Sequence, residues 1–465
     1  MDVEAEPDRP TAEGVDVAPE AEVAAEPVVP EQATSSPGEP PATPAPAFVP
    51  PKWQNRSTTT RVCYGIGRSV AAVAAVALLA VTGYNWSILH QLDKGIARTD
   101  VFGDARPQQQ PVAAPPVLTS DVNILLVGMD SRTDPHGDPL PANELAMLHA
   151  GPDTGELDTD TMILVHIPAG GKQAVAFSFP RDSYVQIAGG YGRHRLNSAF
   201  AYAHNSEASH LRAQGMTNAA QIEQLADTAG RRNLIATIED LIGNAVPINR
   251  YAEINLAGFY DLSLAVGGVQ VCLNGPTHDD QTGASFPAGV QTIAGVRALN
   301  FVRERHGLPG GDLDRIARQQ VFLGAVANKM LSTGTLTNLS RVNALTRAIE
   351  KSITLSSGWD VASFIQQMQG LSSGAIQFHT IRTGPDVTAG GADVLQVDPA
   401  EVHTFVAGLI NDTDQAAATT TPLTPTTPAS ATSPTTTTTQ PVATTATGST
   451  TTTGPITAQG LRCVN

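Results

Sequence analysis

The stretch VNILLVGMDSR (122–132) decides the fold. Residues 122–128 form a short apolar run, and it leads directly into Gly128-Met129-Asp130-Ser131-Arg132. Two similar runs follow, TMILVHI (161–167) and AVAFSFP (174–180), bounded by Gly, Asp and Pro. Such runs read as strands, the first two buried on both faces. Residues 250–255 and 269–273 read as further strands. RRNLIATIEDLI (231–242) and LAGFYDLSLAV (256–266) carry helical spacing, and a glycine follows each. The clearest helix is DLDRIARQQVFLGAVANKML (312–331), with an apolar stripe of Leu313, Ile316, Leu323, Ala327 and Met330. Asp312 stands where an N-cap would, after Pro309-Gly310-Gly311. Strands alternating with such helices predict an α/β fold, an α-β-α sandwich with a mixed central sheet. Residues 338–411 are expected to add about three helices and one strand, 375–381, to the same globule.

Outward from this body the composition changes. The chain has 465 residues, 44 acidic and 28 basic, for a net charge of −16. Residues 1–50 hold eleven Asp/Glu and one Arg, a net of −10, so the other 415 residues carry about −6. The acidity is that of a tail, and the body lacks the basic excess that a nucleic-acid binder uses to displace counterions. Residues 1–62 read as a disordered acidic segment. SVAAVAAVALLAVTGYNWSIL (69–89) has 21 residues without a formal charge, about 30 Å as a helix and long enough to cross a bilayer. Lys52, Arg56, Arg61 and Arg68 precede it, and Tyr84 and Trp86 lie near its far end. Basic flanks stay cytoplasmic and aromatic rings favour the interface. A cleaved signal peptide begins near the N-terminus. The reading is therefore one uncleaved transmembrane anchor in the cell membrane, N-terminus cytoplasmic, with everything beyond about residue 90 outside. Residues 90–119 read as a stalk, 120–332 as the main folded domain, 333–411 as its extension, 412–455 as a Thr/Pro-rich linker and 456–465 as a C-terminal segment.

Three cysteines exclude a disulfide-rich scaffold and a multi-cysteine zinc module. Cys63 falls on the cytoplasmic side of this topology. Cys272 and Cys463 fall outside, where a disulfide persists, and a bridge between them is the expectation.

Open α/β sheets place their sites at strand ends. Asp130 follows one strand, Asp160 precedes another, and Arg181 follows the third in Pro180-Arg181-Asp182. Carboxylates so placed suit a hard divalent ion that keeps several waters, although aspartates at strand ends also serve turns. The segment FVRERHGLPGGDLDRIARQQ (301–320) is richer. Arg303 and Arg305 are two apart, Arg315 and Gln319 share a helix face, and Arg318 lies alongside. Guanidinium forks suit phosphate oxygens, and several beside a helix N-terminus would form a pocket for a pyrophosphate. The competing reading is a salt-bridged surface with Glu304, Asp312 and Asp314 as partners. His166, on a buried strand, reads as a satisfied core histidine; His306 borders the arginines without a nucleophile to pair with. No Gly-x-Ser-x-Gly, P-loop or His-Glu-x-x-His is present, which argues against a serine hydrolase, a nucleotide kinase and a zinc peptidase.

NILLVGMDSR (123–132), DTDTMILVHI (158–167), FSFPRDSYV (177–185), RLNSAFAYA (195–203), AVGGVQVCLN (265–274) and FVRERHGLPGGDLDRIARQQ (301–320) together resemble the LytR-CpsA-Psr family. The resemblance implies an extracytoplasmic phosphotransferase that moves a glycopolymer from a polyprenyl-pyrophosphate carrier to peptidoglycan. It implies that Asp130 and Asp160 hold Mg²⁺ (or Mn²⁺). It assigns the pyrophosphate to Arg181, Arg303, Arg305 and Arg315, with Asp312, Gln319 and Arg318 beside them. The sequence departs from many members in a long insertion, 133–157, between the two aspartates. The Ala/Thr-rich composition resembles actinobacterial members, for which arabinogalactan is the implied polymer. Some relatives carry a further domain after a stretch like AQGLRCVN (458–465), and none is expected here. Two other functions stay open at this point: a polyprenyl-pyrophosphate hydrolase using the same site, and a non-catalytic envelope scaffold acting through the acidic tail.

Overall fold

A computed structural model describes residues 96–103, 117–134, 138–152, 155, 157–331, 353–360, 363–364, 367–368, 371, 375–419, 455–458 and 460–465. The segments read as acidic tail and anchor lie outside the described residues, as does most of the Thr/Pro linker read over 412–455; its first residues, to Thr419, belong to a helix instead. Among the described residues no helix is long and apolar enough to cross a membrane.

The body is built on an eight-stranded sheet. Its strands, in chain order, are β1 (Ala97–Thr99), β2 (Val122–Met129), β3 (Thr159–Ile167), β4 (Ala174–Ser178), β5 (Arg250–Ile254), β6 (Ile353–Ser356), β7 (Ile376–Thr380) and β8 (Ile456–Thr457). In space the order is β1-β6-β5-β2-β3-β4-β7-β8. β2 pairs antiparallel with β3 and parallel with β5, while β4 pairs antiparallel with β3 and parallel with β7. The sheet is thus mixed.

The helices follow as α1 (Ala199–Ala213), α2 (Ala219–Leu241), α3 (Leu256–Ala265), α4 (Val296–Arg303), α5 (Asp312–Leu331) and α6 (Pro399–Thr419). Successive side chains on a strand alternate between faces, and two cores result. Ile124, Ile163 and Ala176 pack with Phe301 of α4 and Phe322 of α5 on one face. Leu125, Leu164 and Phe177 pack with Leu234 and Ile238 of α2 and Val402 and Val406 of α6 on the other. Helices on both faces of the sheet make the expected sandwich.

Several boundaries differ from the sequence reading. Residues 97–99, read as stalk, form β1 and pair with β6. Residues 231–242 are only the second half of α2, whose N-cap Asn218 accepts a hydrogen bond from Gln221 N. The extension read over 338–411 contributes four strands among its described residues and one long helix, α6, that continues to Thr419. Two of those strands, β6 and β7, sit inside the central sheet, so the extension is part of the sandwich. The final segment adds β8 and a strand Cys463–Val464, and the latter lies parallel to Val269–Leu273. Cys463 and Cys272 face each other in that pair and are joined by a disulfide. Asp312 is the first residue of α5 rather than its cap, and Leu313 is exposed instead of joining the apolar stripe.

Candidate active site

Antiparallel pairing of β2, β3 and β4 brings the end of β2, the start of β3 and the end of β4 to one edge. That is why Asp130, Asp160 and Arg181, far apart in sequence, meet. β2 bulges between Gly128 and Met129, and a Cβ at Gly128 would lie 3.0 Å from the Thr161 Cβ. The glycine permits this close approach, and the bulge re-aims the chain at Asp130. Asp130 is held by its own backbone N, which donates to Asp158 O, and by the buried Arg132, whose Nη1 lies 3.4 Å from its carboxylate. Arg132 also donates twice to Ala150 O, tying the long insertion to the site.

Arg181 Nη1 lies 2.6 Å from Asp160 Oδ1, and Arg181 Nε lies 3.4 Å from Asp312 and 3.6 Å from Asp182. Arg315 Nη2 is 2.8 Å from Asp312 and its Nη1 is 3.6 Å from Asp160. Burial alone would lower the Arg181 pKa, but Asp160, Asp312 and Asp182 together hold it above its ordinary value. Burial raises the Asp182 carboxyl, and Arg181 and Arg195 offset this only in part. Two buried guanidinium N–H groups, Arg181 Nε and Arg315 Nε, donate no hydrogen bond among the described residues. Unsatisfied buried donors are costly.

Beside these charges lies a cavity of about 230 Å³. Asp130, Asp160, Arg303, Arg315 and Gln319 line its polar end, and Leu126, Ile163, Leu256, Phe259, Phe322 and Val326 its apolar remainder. Gln319 is buried and donates to Val302 O. Arg303 ends α4 and, among the described residues, makes long contacts of 3.3 and 3.4 Å to backbone oxygens of the insertion.

Two expected ligands stand elsewhere. Arg318 is fully buried and pairs with Glu304, which is also without exposure. Its other donors reach Thr277 Oγ1 and Asn465 O. Its charge is closed off inside the core, so it cannot bind substrate. Arg305 is half-buried and does not line the cavity. The strand-like stretch expected there is the end of a helix, and Glu304 between the two arginines turns inward. Two polar residues of the cavity wall escaped the sequence reading, Glu253 and Asn255. Glu253 accepts from the hydroxyl of Tyr251, two residues back on the same strand, at 2.6 Å.

The chain is similar to the cell wall biosynthesis protein LcpA of Corynebacterium glutamicum, 39% identical over 362 residues, 77% of this chain and 68% of the relative. It is also similar to the polyisoprenyl-teichoic acid–peptidoglycan teichoic acid transferase TagU of Bacillus cereus, 28% identical over 52% of this chain and 63% of that protein. The crystal structure of TagV from B. subtilis aligns over 64% of this chain and 98% of its own, at 19% identity and a TM-score of 0.46. The model of the LytR_cpsA_psr family matches residues 93–410. With most of the sandwich inside that match, the chain belongs to the LytR_cpsA_psr family.

Proposed function

We propose that this protein is an extracytoplasmic phosphotransferase that moves a glycopolymer from a polyprenyl-pyrophosphate carrier to peptidoglycan, anchored in the cell membrane by residues 69–89. The observation that carries the reading is the pairing of opposites at one cavity. The under-satisfied guanidinium of buried Arg315 lines an apolar chamber, and Arg181, outside the lining, pairs with Asp160 of its wall. A diphosphate head with a hydrocarbon tail has that same polarity. The name of TagU describes such a transfer for a teichoic acid; arabinogalactan is the polymer that the actinobacterial resemblance favours here.

Arg181, Arg303 and Arg315 would bind the diphosphate, and Asp312 would hold Arg181 and Arg315 at the right spacing until it arrives. A peptidoglycan hydroxyl attacks the sugar-linked phosphorus. The new P–O bond forms as the P–O–P bond breaks, polyprenyl phosphate leaves, and the hydroxyl proton passes to a carboxylate of the site. Positioning and charge stabilisation supply most of the acceleration in such a transfer.

Asp130 and Asp160 would hold Mg²⁺ or Mn²⁺. The fit is that of the donor set: both carboxylates line one cavity, and they belong to no cluster of three metal-type ligands among the described residues. A hard ion that keeps most of its waters needs no more. Such an ion, when bound, neutralises charge on the transferred phosphate.

The test incubates the full-length protein with a lipid-linked oligosaccharide, peptidoglycan and Mg²⁺. A phosphodiester-linked glycan on peptidoglycan is expected, with release of polyprenyl phosphate. Carrier cleavage at the same rate without peptidoglycan, and no linked product, would replace the transferase by a hydrolase.

A further inference from the structure

A second cluster lies away from the cavity, on the hairpin of α1 and α2. His204 of α1 is 5% exposed, and its ring stacks on Phe200 one turn earlier, with centroids 5.8 Å apart. Its Nε2 lies 3.1 Å from Glu223 Oε1 and 3.6 Å from Asp227 Oδ1. Glu223 and Asp227 are four residues apart on α2 and therefore share a face. All three atoms lie within 4.8 Å of one another, and no other such trio of His, Cys, Asp or Glu occurs among the described residues.

We propose that His204, Glu223 and Asp227 form a transition-metal site, with Zn²⁺ as its natural class of ligand. Three features carry this. The spacing is right: bonds of about 2.0–2.2 Å in a tetrahedron place ligand atoms about 3.3–3.6 Å apart, and the measured separations bracket that range. The outer partners are right as well. Asn205 Oδ1 lies 3.4 Å from His204 Nδ1, an acceptor for the Nδ1–H that the ring carries once an ion replaces the Nε2 proton now shared with Glu223. Arg231 Nη2 takes the other Asp227 oxygen at 3.2 Å, leaving Oδ1 for the ion. The charge of Arg231 is itself matched by two shorter bonds to Glu253, each of 2.9 Å. Finally, there is a way in. Glu223 and Asp227 line a wide surface groove of about 1350 Å³, so a fourth position is open to water or a ligand.

The donor set also separates this site from the cavity. One imidazole with two carboxylates favours Zn²⁺ and its neighbours, whereas carboxylates alone favour Mg²⁺. The ion would staple α1 to α2 from the groove side, opposite the small apolar cluster of Ala208, Leu211, Ile222 and Ala226 that packs the same hairpin.

The test titrates Co²⁺ into the metal-free full-length protein and reads the visible spectrum. One equivalent giving intense four-coordinate bands, displaced by Zn²⁺ but not by millimolar Mg²⁺, is the expected result. Glu223→Gln and His204→Ala should each weaken binding at least tenfold, and Asp130→Asn/Asp160→Asn should leave the bands unchanged. Glu223 is partly exposed, so its variant folds even where loss of the buried histidine disturbs the hairpin. Weak six-coordinate bands, bands that survive Glu223→Gln, or bands lost in Asp130→Asn/Asp160→Asn would each overturn the site.

Discussion

Arg231 and Arg181 each face several carboxylates, yet their surroundings differ in kind. Arg231 is buried, and Glu253 takes it with two bonds of 2.9 Å each. Burial would raise the Glu253 carboxyl, but that pairing and the Tyr251 hydroxyl hold it below its ordinary value. Arg318 is closed off too, its donors divided among Glu304, Thr277 and Asn465. Arg181 instead shares three carboxylates at uneven distances, and its Nε donates to none of them in hydrogen-bond geometry. The first arrangement is complete in itself. The second leaves a buried donor open. Arginine count therefore says little about function; the state of the donors says more.

The largest effect should come from opening a complete pair. Glu253→Gln leaves the buried Arg231 with Asp227 alone as counter-charge, and a loss of about 3 kcal/mol is expected in denaturant unfolding. The double change Arg231→Met/Glu253→Leu should stay within about 1 kcal/mol of wild type, or exceed it, because both desolvation costs vanish together. A single variant as stable as wild type would erase the distinction drawn here.

Next comes the bridge that closes the other pair. The Cys272–Cys463 disulfide spans 191 residues of chain and holds the final segment where Asn465 O accepts from Arg318 Nε. Cys463→Ser should cost about 2–4 kcal/mol, with Arg318 losing a partner as the strand Cys463–Val464 frays. Protection of the Val269–Leu273 amides against hydrogen exchange is the local readout.

At the cavity the order reverses, with activity falling and stability holding. Arg303→Ala should lower transfer at least tenfold, about 1.4 kcal/mol of transition-state stabilisation. Its contacts are long ones to backbone oxygens, so the melting temperature should hardly move. Arg305→Ala, away from the cavity wall, should cost less. Equal losses from both would mean that the cavity does not mark the binding site.

Much of this was legible in the sequence. β2, β3 and β4 announce themselves by short apolar runs, and the residues beyond their ends converge because neighbouring strands alternate in direction. Arg318 was misread because helix spacing shows which residues are neighbours but not which of them faces the core. Glu253 was missed because one acid in a five-residue strand has no local signature; its partner lies 22 residues away. β1 and β6 escaped for a related reason. They have three and four residues, and their place in the sheet depends on pairing across more than 250 residues, which no local pattern encodes.

The smallest effect is the one that tells the two arrangements apart by sign. Glu253 has a lowered pKa in the fold, so its contribution is present above the unfolded value near 4.5 and is lost as pH falls through the folded one. Asp182 is raised, chiefly by burial. Its charged form is penalised in the fold: the penalty is full above the raised value and absent below the unfolded value of 3.8. Asp182→Asn mimics the protonated form. At pH 7 it should match wild type or exceed it by up to about 1 kcal/mol, and the gain should fade as the pH is lowered past 3.8. Denaturant midpoints of the two proteins across pH 3 to 8 measure this. A variant that is less stable at pH 7 would mean that Asp182 belongs with Glu253 among the completed pairs, and that Arg181 is held by the fold rather than kept ready for an anion.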